Sequence, residues 1–157
     1  MPGSGKSTVG VVLAKLMSYD FLDTDLLIQS SQQRSLQDIV DRNGHLALRD
    51  IEEEALLSLD VHNHVIATGG SAVYSEPAMA HLASTGTVIF LEIDQESLEE
   101  RIHNFGTRGL AKRPEQSLAD LFIEREALYR QVANITVNCF GLTQEGVCSK
   151  IINKIKS

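Results

Sequence analysis

Short apolar runs alternate along the whole chain with longer stretches in which apolar residues recur at helical spacing. The short runs, at residues 21–23, 64–67, 87–91 and 135–138, have the length and near-continuous hydrophobicity of strands buried on both faces, and each is followed by polar or turn-forming residues. Helical patterns cover residues 6–17, 26–32, 36–42, 46–59, 77–83, 95–103, 118–133 and 143–155. Strand and helix in repeated alternation predict a parallel sheet covered by helices, a three-layer α/β fold whose strands end along one working edge.

Residues 103–117 break the alternation. Gly106, Gly109 and Pro114 stand there among Arg108, Lys112 and Arg113, with no sustained apolar period. A structureless stretch of this length is uncommon inside a compact domain unless it covers a site or is disordered. We expect a mobile basic lid within one domain spanning residues 1–157.

Composition narrows the classes. A chain of 157 residues with 43% hydrophobic and 22% charged residues can bury its own core, which excludes a disordered or fibrous protein. The formal net charge of -7 disfavours a nucleic-acid or anionic-membrane partner, because either needs a clustered positive field. Cys139 and Cys148, the only cysteines, lack the spacing of a zinc site or a disulfide framework. With no apolar run long enough to span a bilayer and no secretory leader pattern, the expectation is a cytoplasmic monomer acting on a small molecule.

The densest chemistry is at the start, where Pro2-Gly3-Ser4-Gly5-Lys6-Ser7-Thr8 opens a helix carrying Val9, Val12, Leu13 and Leu16. Glycines let successive backbone N–H groups turn inward around phosphate oxygens, and the helix N-terminus favours their charge. Gly3, Ser4, Gly5, Lys6, Ser7 and Thr8 are therefore expected to hold ATP, with Lys6 reaching the β- and γ-phosphates and Ser7 on Mg²⁺. The full P-loop pattern has one more glycine, which would fall just before Met1, and the strand that precedes such a loop is missing too. The expectation is that the numbered chain starts inside the natural gene product and that the sheet has a gap where that strand belongs.

Leu22-Asp23-Thr24-Asp25 ends a predicted strand in two carboxylates on the working edge. Asp23 is expected to serve the magnesium shell, and Asp25 to accept a hydrogen bond or proton from the hydroxyl under attack. A helix N-cap for one and a solvated turn for the other is the competing reading, since Asp is favoured at both.

In order along the chain, the P-loop and Leu22 to Asp25 are followed by Leu48-Arg49-Asp50-Ile51-Glu52, Thr68-Gly69-Gly70-Ser71, Lys112-Arg113-Pro114 and Arg125-Glu126-Ala127-Leu128-Tyr129. This series resembles the shikimate kinase family. That resemblance implies that Asp25 contacts ring hydroxyls, that Arg49 and Arg125 clamp the acceptor's carboxylate, and that Gly69, Gly70 and Ser71 approach the substrate. It also implies that Arg101 stacks on adenine. Paired guanidinium forks are suited to a carboxylate, because each offers two parallel hydrogen bonds. Glu52, one turn after Arg49, is expected to orient it by an ion pair. Arg113 and Arg108 compete for the lid arginine that neutralises the transferring phosphoryl group.

The departures fall on the acceptor pocket and lid. Ser71 replaces a third glycine, His45 a glutamate, Leu48 a phenylalanine and Ala127 a proline, while Pro114 is followed by Glu115-Gln116 instead of two leucines. Another acceptor, such as gluconate or a nucleotide, and a chain that binds ATP without turnover are the two readings left open beside shikimate.

Overall fold

A computed structural model describes residues 3–94, 96–98 and 109–157. The elements run α1 (Lys6–Met17), β1 (Asp20–Asp23), α2 (Thr24–Gln32), α3 (Leu36–Leu57), β2 (His64–Ala67), a 3-10 turn (Ala72–Tyr74), α4 (Glu76–Thr85), β3 (Ile89–Glu92), α5 (Leu118–Val132), β4 (Ile135–Asn138) and α6 (Gln144–Lys156). The helix expected at residues 95–103 and the first half of the lid lie largely outside the described residues.

All strand pairing is parallel. β1 pairs with β2 in the register Asp20 to His64 through Asp23 to Ala67, and β3 pairs with β4 from Ile89–Ile135 to Glu92–Asn138. Among the described residues the expected single sheet is thus two two-stranded ladders. A narrow crevice touches Ser4 and Lys6 at the start of α1, Thr68 to Gly70 beyond β2, and Ile89 to Leu91 of β3. The ladders stay apart because no described strand hydrogen-bonds β2 to β3.

Local chemistry sets the helix ends. Ser35 and Thr143 each accept a backbone N–H from the first turn of α3 and α6, and Ser117 and Asp120 form a reciprocal capping box that starts α5. That start places Arg125 and Tyr129 on consecutive turns of α5. The two helices expected at residues 36–42 and 46–59 are both present within α3 and meet at a kink at Gly44, whose φ of 87° and ψ of 168° are not helical.

The largest core cluster joins α1, β3, β4, α5 and α6 through Val9, Leu13, Leu91, Phe122, Val137 and Ile151. Two smaller clusters, around Ile28, Ile39 and Leu48 and around Leu56, Ala72 and Ala78, seat α2, α3 and α4. The residues that follow β1 and β2, Asp25 and Thr68 to Ser71, line a cleft beyond these clusters. No helix of the described residues is long and apolar enough to cross a membrane.

Candidate active site

A cleft of about 450 Å³ opens over the C-terminal ends of β1 and β2. One end is the P-loop: Gly3, Gly5, Lys6, Ser7 and Thr8 line it. Gly3 and Gly5 have φ of 73° and 83°, a left-handed geometry that L side chains rarely adopt and that turns the intervening amides inward. Lys6 Nζ lies 3.5 Å from Ser4 Oγ, and burial holds its pKa below the usual lysine value against the pull of Asp25.

Asp23 does two jobs. Its Oδ1 caps α2 by accepting from the N–H groups of Asp25 (2.9 Å) and Leu26 (3.3 Å), while Oδ2 accepts from Ser7 Oγ at 2.6 Å. Of the two readings offered for this carboxylate, the helix cap is what the hydrogen bonds display, and Oδ2 is turned to Ser7. Asp25 lines the cleft, and burial, with Asp23 adding to it, raises its pKa above the ordinary carboxylate value. Thr24 Oγ1, fully buried, donates to Ala67 O (3.4 Å) and accepts from Gly69 N (3.2 Å), tying the β1 end to the turn after β2.

Gly69 shows why that turn needs glycine. A Cβ there would stand 2.9 Å from Asp25 Oδ1 and closer still to Glu52 Oε1. Gly70 O accepts from Tyr129 Oη at 2.6 Å, so α5 holds the turn from behind.

Glu52 departs from expectation. No ion pair joins it to Arg49 among the described residues. The carboxylate is 3% exposed, accepts a very short hydrogen bond from Ser71 Oγ, and leaves Oε1 buried without a partner. The physical reason is the turn: Ser71, standing where the resembling family has glycine, supplies a donor that glycine lacks. The acid lies against Gly69. Burial raises its pKa to about 7, partly opposed by the Ser71 hydrogen bond.

A stability prediction follows from that value. A carboxyl whose folded pKa exceeds its unfolded value near 4.5 keeps a proton that the unfolded chain releases between the two, so stability falls as pH rises from about 4.5 to about 7. Glu52→Gln should remove that slope, a change of a few kcal/mol at most between about pH 5 and about pH 8 in urea titrations. An unaltered slope in the variant would place the titration on another group.

Of the two expected clamp arginines, only Arg125 lines the cleft. It is 1% exposed, donates from Nη2 to Ala111 O at 2.9 Å and leaves Nε buried without a hydrogen-bond partner. Arg49 is not among the residues lining the cleft; its Cζ lies over the ring of Tyr74 at 3.6 Å, and its Nε is likewise buried and unpartnered. Arg113 lies outside the cleft lining, exposed and paired with Glu124 (3.4 Å) and Glu115 (4.0 Å). Arg101 and Arg108 lie outside the described residues. From the segment expected as a lid, Gly109, Leu110 and Ala111 line the cleft. In the sequence Tyr74, like Tyr129 and the five phenylalanines, is too isolated for a base-stacking platform and carries no site expectation. Its proximity to Arg49 and Arg125 joins three separate elements, and no local pattern in the sequence signals it.

The shikimate kinase family profile matches residues 2–156. The chain is 32% identical over 155 residues to the shikimate kinase of Sulfurihydrogenibium sp., covering 98% of this chain and 93% of that protein. It is 37% identical over 143 residues to the shikimate kinase of Paracidovorax citrulli, covering 88% and 78%. Among solved structures, the shikimate kinase of Acinetobacter baumannii in complex with shikimate superposes with a TM-score of 0.87 at 32% identity, over 98% of this chain and 88% of that one. The shikimate kinase of Aquifex aeolicus gives 0.85 at 33%, over 99% and 92%. Matching in sequence and in fold over nearly its whole length, this kinase chain belongs to the shikimate kinase family.

Proposed function

We propose that the chain transfers the γ-phosphoryl group of ATP to a ring hydroxyl of shikimate, giving shikimate 3-phosphate. The observation that carries this reading is Arg125: a buried guanidinium with an unpartnered Nε in the cleft that begins at the P-loop. A buried guanidinium that pairs with a backbone carbonyl and carries no salt-bridged acid among the described residues suits an anionic ligand, and a carboxylate fits its fork. The solution of the Acinetobacter baumannii relative with shikimate bound supports the same acceptor.

The residues present fit ATP and Mg²⁺. Left-handed Gly3 and Gly5 form an anion cradle with Ser4, Thr8 and the α1 N-terminus, and Ser7 with Asp23 offers the hard oxygen donors that Mg²⁺ prefers. When bound, Mg·ATP supplies the phosphoryl group and offsets its charge. Lys6 adds a positive charge in a desolvated corner, where it acts more strongly than in water. Asp25 orients the attacking hydroxyl and takes its proton, and its raised pKa brings it toward the basicity that task requires. Arg125 and Arg49 hold the acid, Gly69, Gly70 and Ser71 let it approach, and Arg113 or Arg108 neutralises the phosphoryl in flight. Arg101 serves the adenine. A lid over residues 103–117 within a single domain, a monomeric state and a cytoplasmic setting complete the reading, and the net charge of -7 is consistent with no nucleic-acid partner.

A coupled ADP-release assay with Mg·ATP tests it, run side by side on shikimate, gluconate and nucleoside monophosphates. Shikimate-dependent ADP release is expected. Turnover on another acceptor alone would replace shikimate, and ATP binding without transfer to any acceptor would leave a non-catalytic protein.

A further inference from the structure

Arg49 comes from the middle of α3 and Arg125 from α5, and one tyrosine meets both. Tyr74 closes the 3-10 turn that directly follows Gly69 to Ser71. Arg49 Cζ lies 3.6 Å from the ring centroid, a van der Waals separation, and Arg125 Cζ lies 5.4 Å away, within cation–π range. At its far end the Tyr74 hydroxyl donates to Glu124 Oε1 at 2.5 Å, and Glu124 Oε2 accepts from Gln116 Nε2 at 2.9 Å. The ring is thus anchored at its rim while its surroundings carry two cations.

A ring does for these arginines what a carboxylate partner could not. A carboxylate would fill the guanidinium forks, and an acceptor acid would have to displace it. The negative face of a ring attracts a guanidinium across its plane, while the N–H donors point outward in that plane. Nε of each arginine is buried without a hydrogen-bond partner, while Arg125 also donates from Nη2 to Ala111 O and hydrogen-bonds with the side chains of Tyr74 and Tyr129. Glu52, three residues after Arg49 along α3, is meanwhile occupied by Ser71.

We propose that Tyr74 is a positioning residue of the acceptor site, seating Arg49 and Arg125 against its ring and keeping their N–H edges available to the acceptor's carboxylate. The inference takes the identity of that acid from the functional reading above. Its physical content, two guanidinium groups held by one ring, stands on geometry alone.

The test compares Tyr74→Phe, which keeps the ring, with Tyr74→Leu, which does not. Wild-type turnover on shikimate is read first, and its absence overturns the functional reading only. NMR of the arginine side chains then judges the seating without any acceptor. Ring-current displacement of the Arg49 Nε–H signal is expected in wild type and Tyr74→Phe and is lost in Tyr74→Leu; a wild-type signal without displacement overturns the proposal. In steady-state kinetics, Tyr74→Leu should raise the acceptor KM about tenfold with the ATP KM unchanged, and Tyr74→Phe should restore most of the loss. Equal losses in the two variants, or an ATP KM that rises in step, would also overturn it.

Discussion

Replacing Arg125 by methionine should raise the KM for shikimate about a hundredfold while leaving the ATP KM within about twofold of wild type. The same variant should be no less stable than wild type. A guanidinium that is 1% exposed, with Nε unpartnered, carries a desolvation cost that an apolar residue of similar volume does not, which offsets the loss of its hydrogen bond to Ala111 O. Stability and acceptor affinity therefore move apart. Thermal melting and a two-substrate kinetic analysis of Arg125→Met check both halves. A melting temperature lowered by many degrees would make Arg125 a strut between α5 and the lid, through its hydrogen bond to Ala111 O, instead of a binding group. A parallel rise in both KM values would remove it from the acceptor end of the cleft.

The second large effect is expected at Lys6. Lys6→Met should lower kcat by about 10²–10³-fold, the scale of losing one preorganised positive group from a water-poor site. Asp25 and Glu52 both face Lys6 electrostatically, and burial raises the pKa of each. Losing the ammonium should push both carboxyls higher still, so the residual activity of the variant should need a higher pH than that of wild type. A pH–rate profile of Lys6→Met against wild type measures that displacement. A kcat within about threefold of wild type would mean that Lys6 only shapes the loop.

Glu52 and Arg49 show where local reasoning stops. Three residues apart on α3, they satisfy the spacing of a helical ion pair, and spacing was all the sequence offered. The structure turns Glu52 inward against Gly69 and Ser71 while Arg49 packs on Tyr74. Ser71 lies nineteen positions from Glu52 and Tyr74 twenty-five from Arg49, so what separates the expected pair is long-range packing. The lid differs for another reason. Arg113 reads as a site residue because it lies in a basic loop; in the structure it is outside the cleft lining and pairs with Glu124 of α5.

By itself the sequence determined what depends on short-range periodicity and fixed spacing. The alternation of strand and helix, the glycine-rich start of α1, the Asp23 and Asp25 pair at the end of β1 and the glycine turn after β2 all lie within a few residues of their own signals. The kink at Gly44 was foreshadowed in the same way, as a break between two helical patterns. Only the tertiary structure decided which distant side chains meet. The division of the strands into two ladders, the Ser71 hydrogen bond to Glu52, the Tyr129 support of Gly70 and the seat of both arginines at Tyr74 each join elements far apart in the chain. Side-chain partners inside a cleft are chosen by burial and by competition among neighbours, because each desolvated donor or charge takes the best partner within reach. That competition is settled only once the chain has folded.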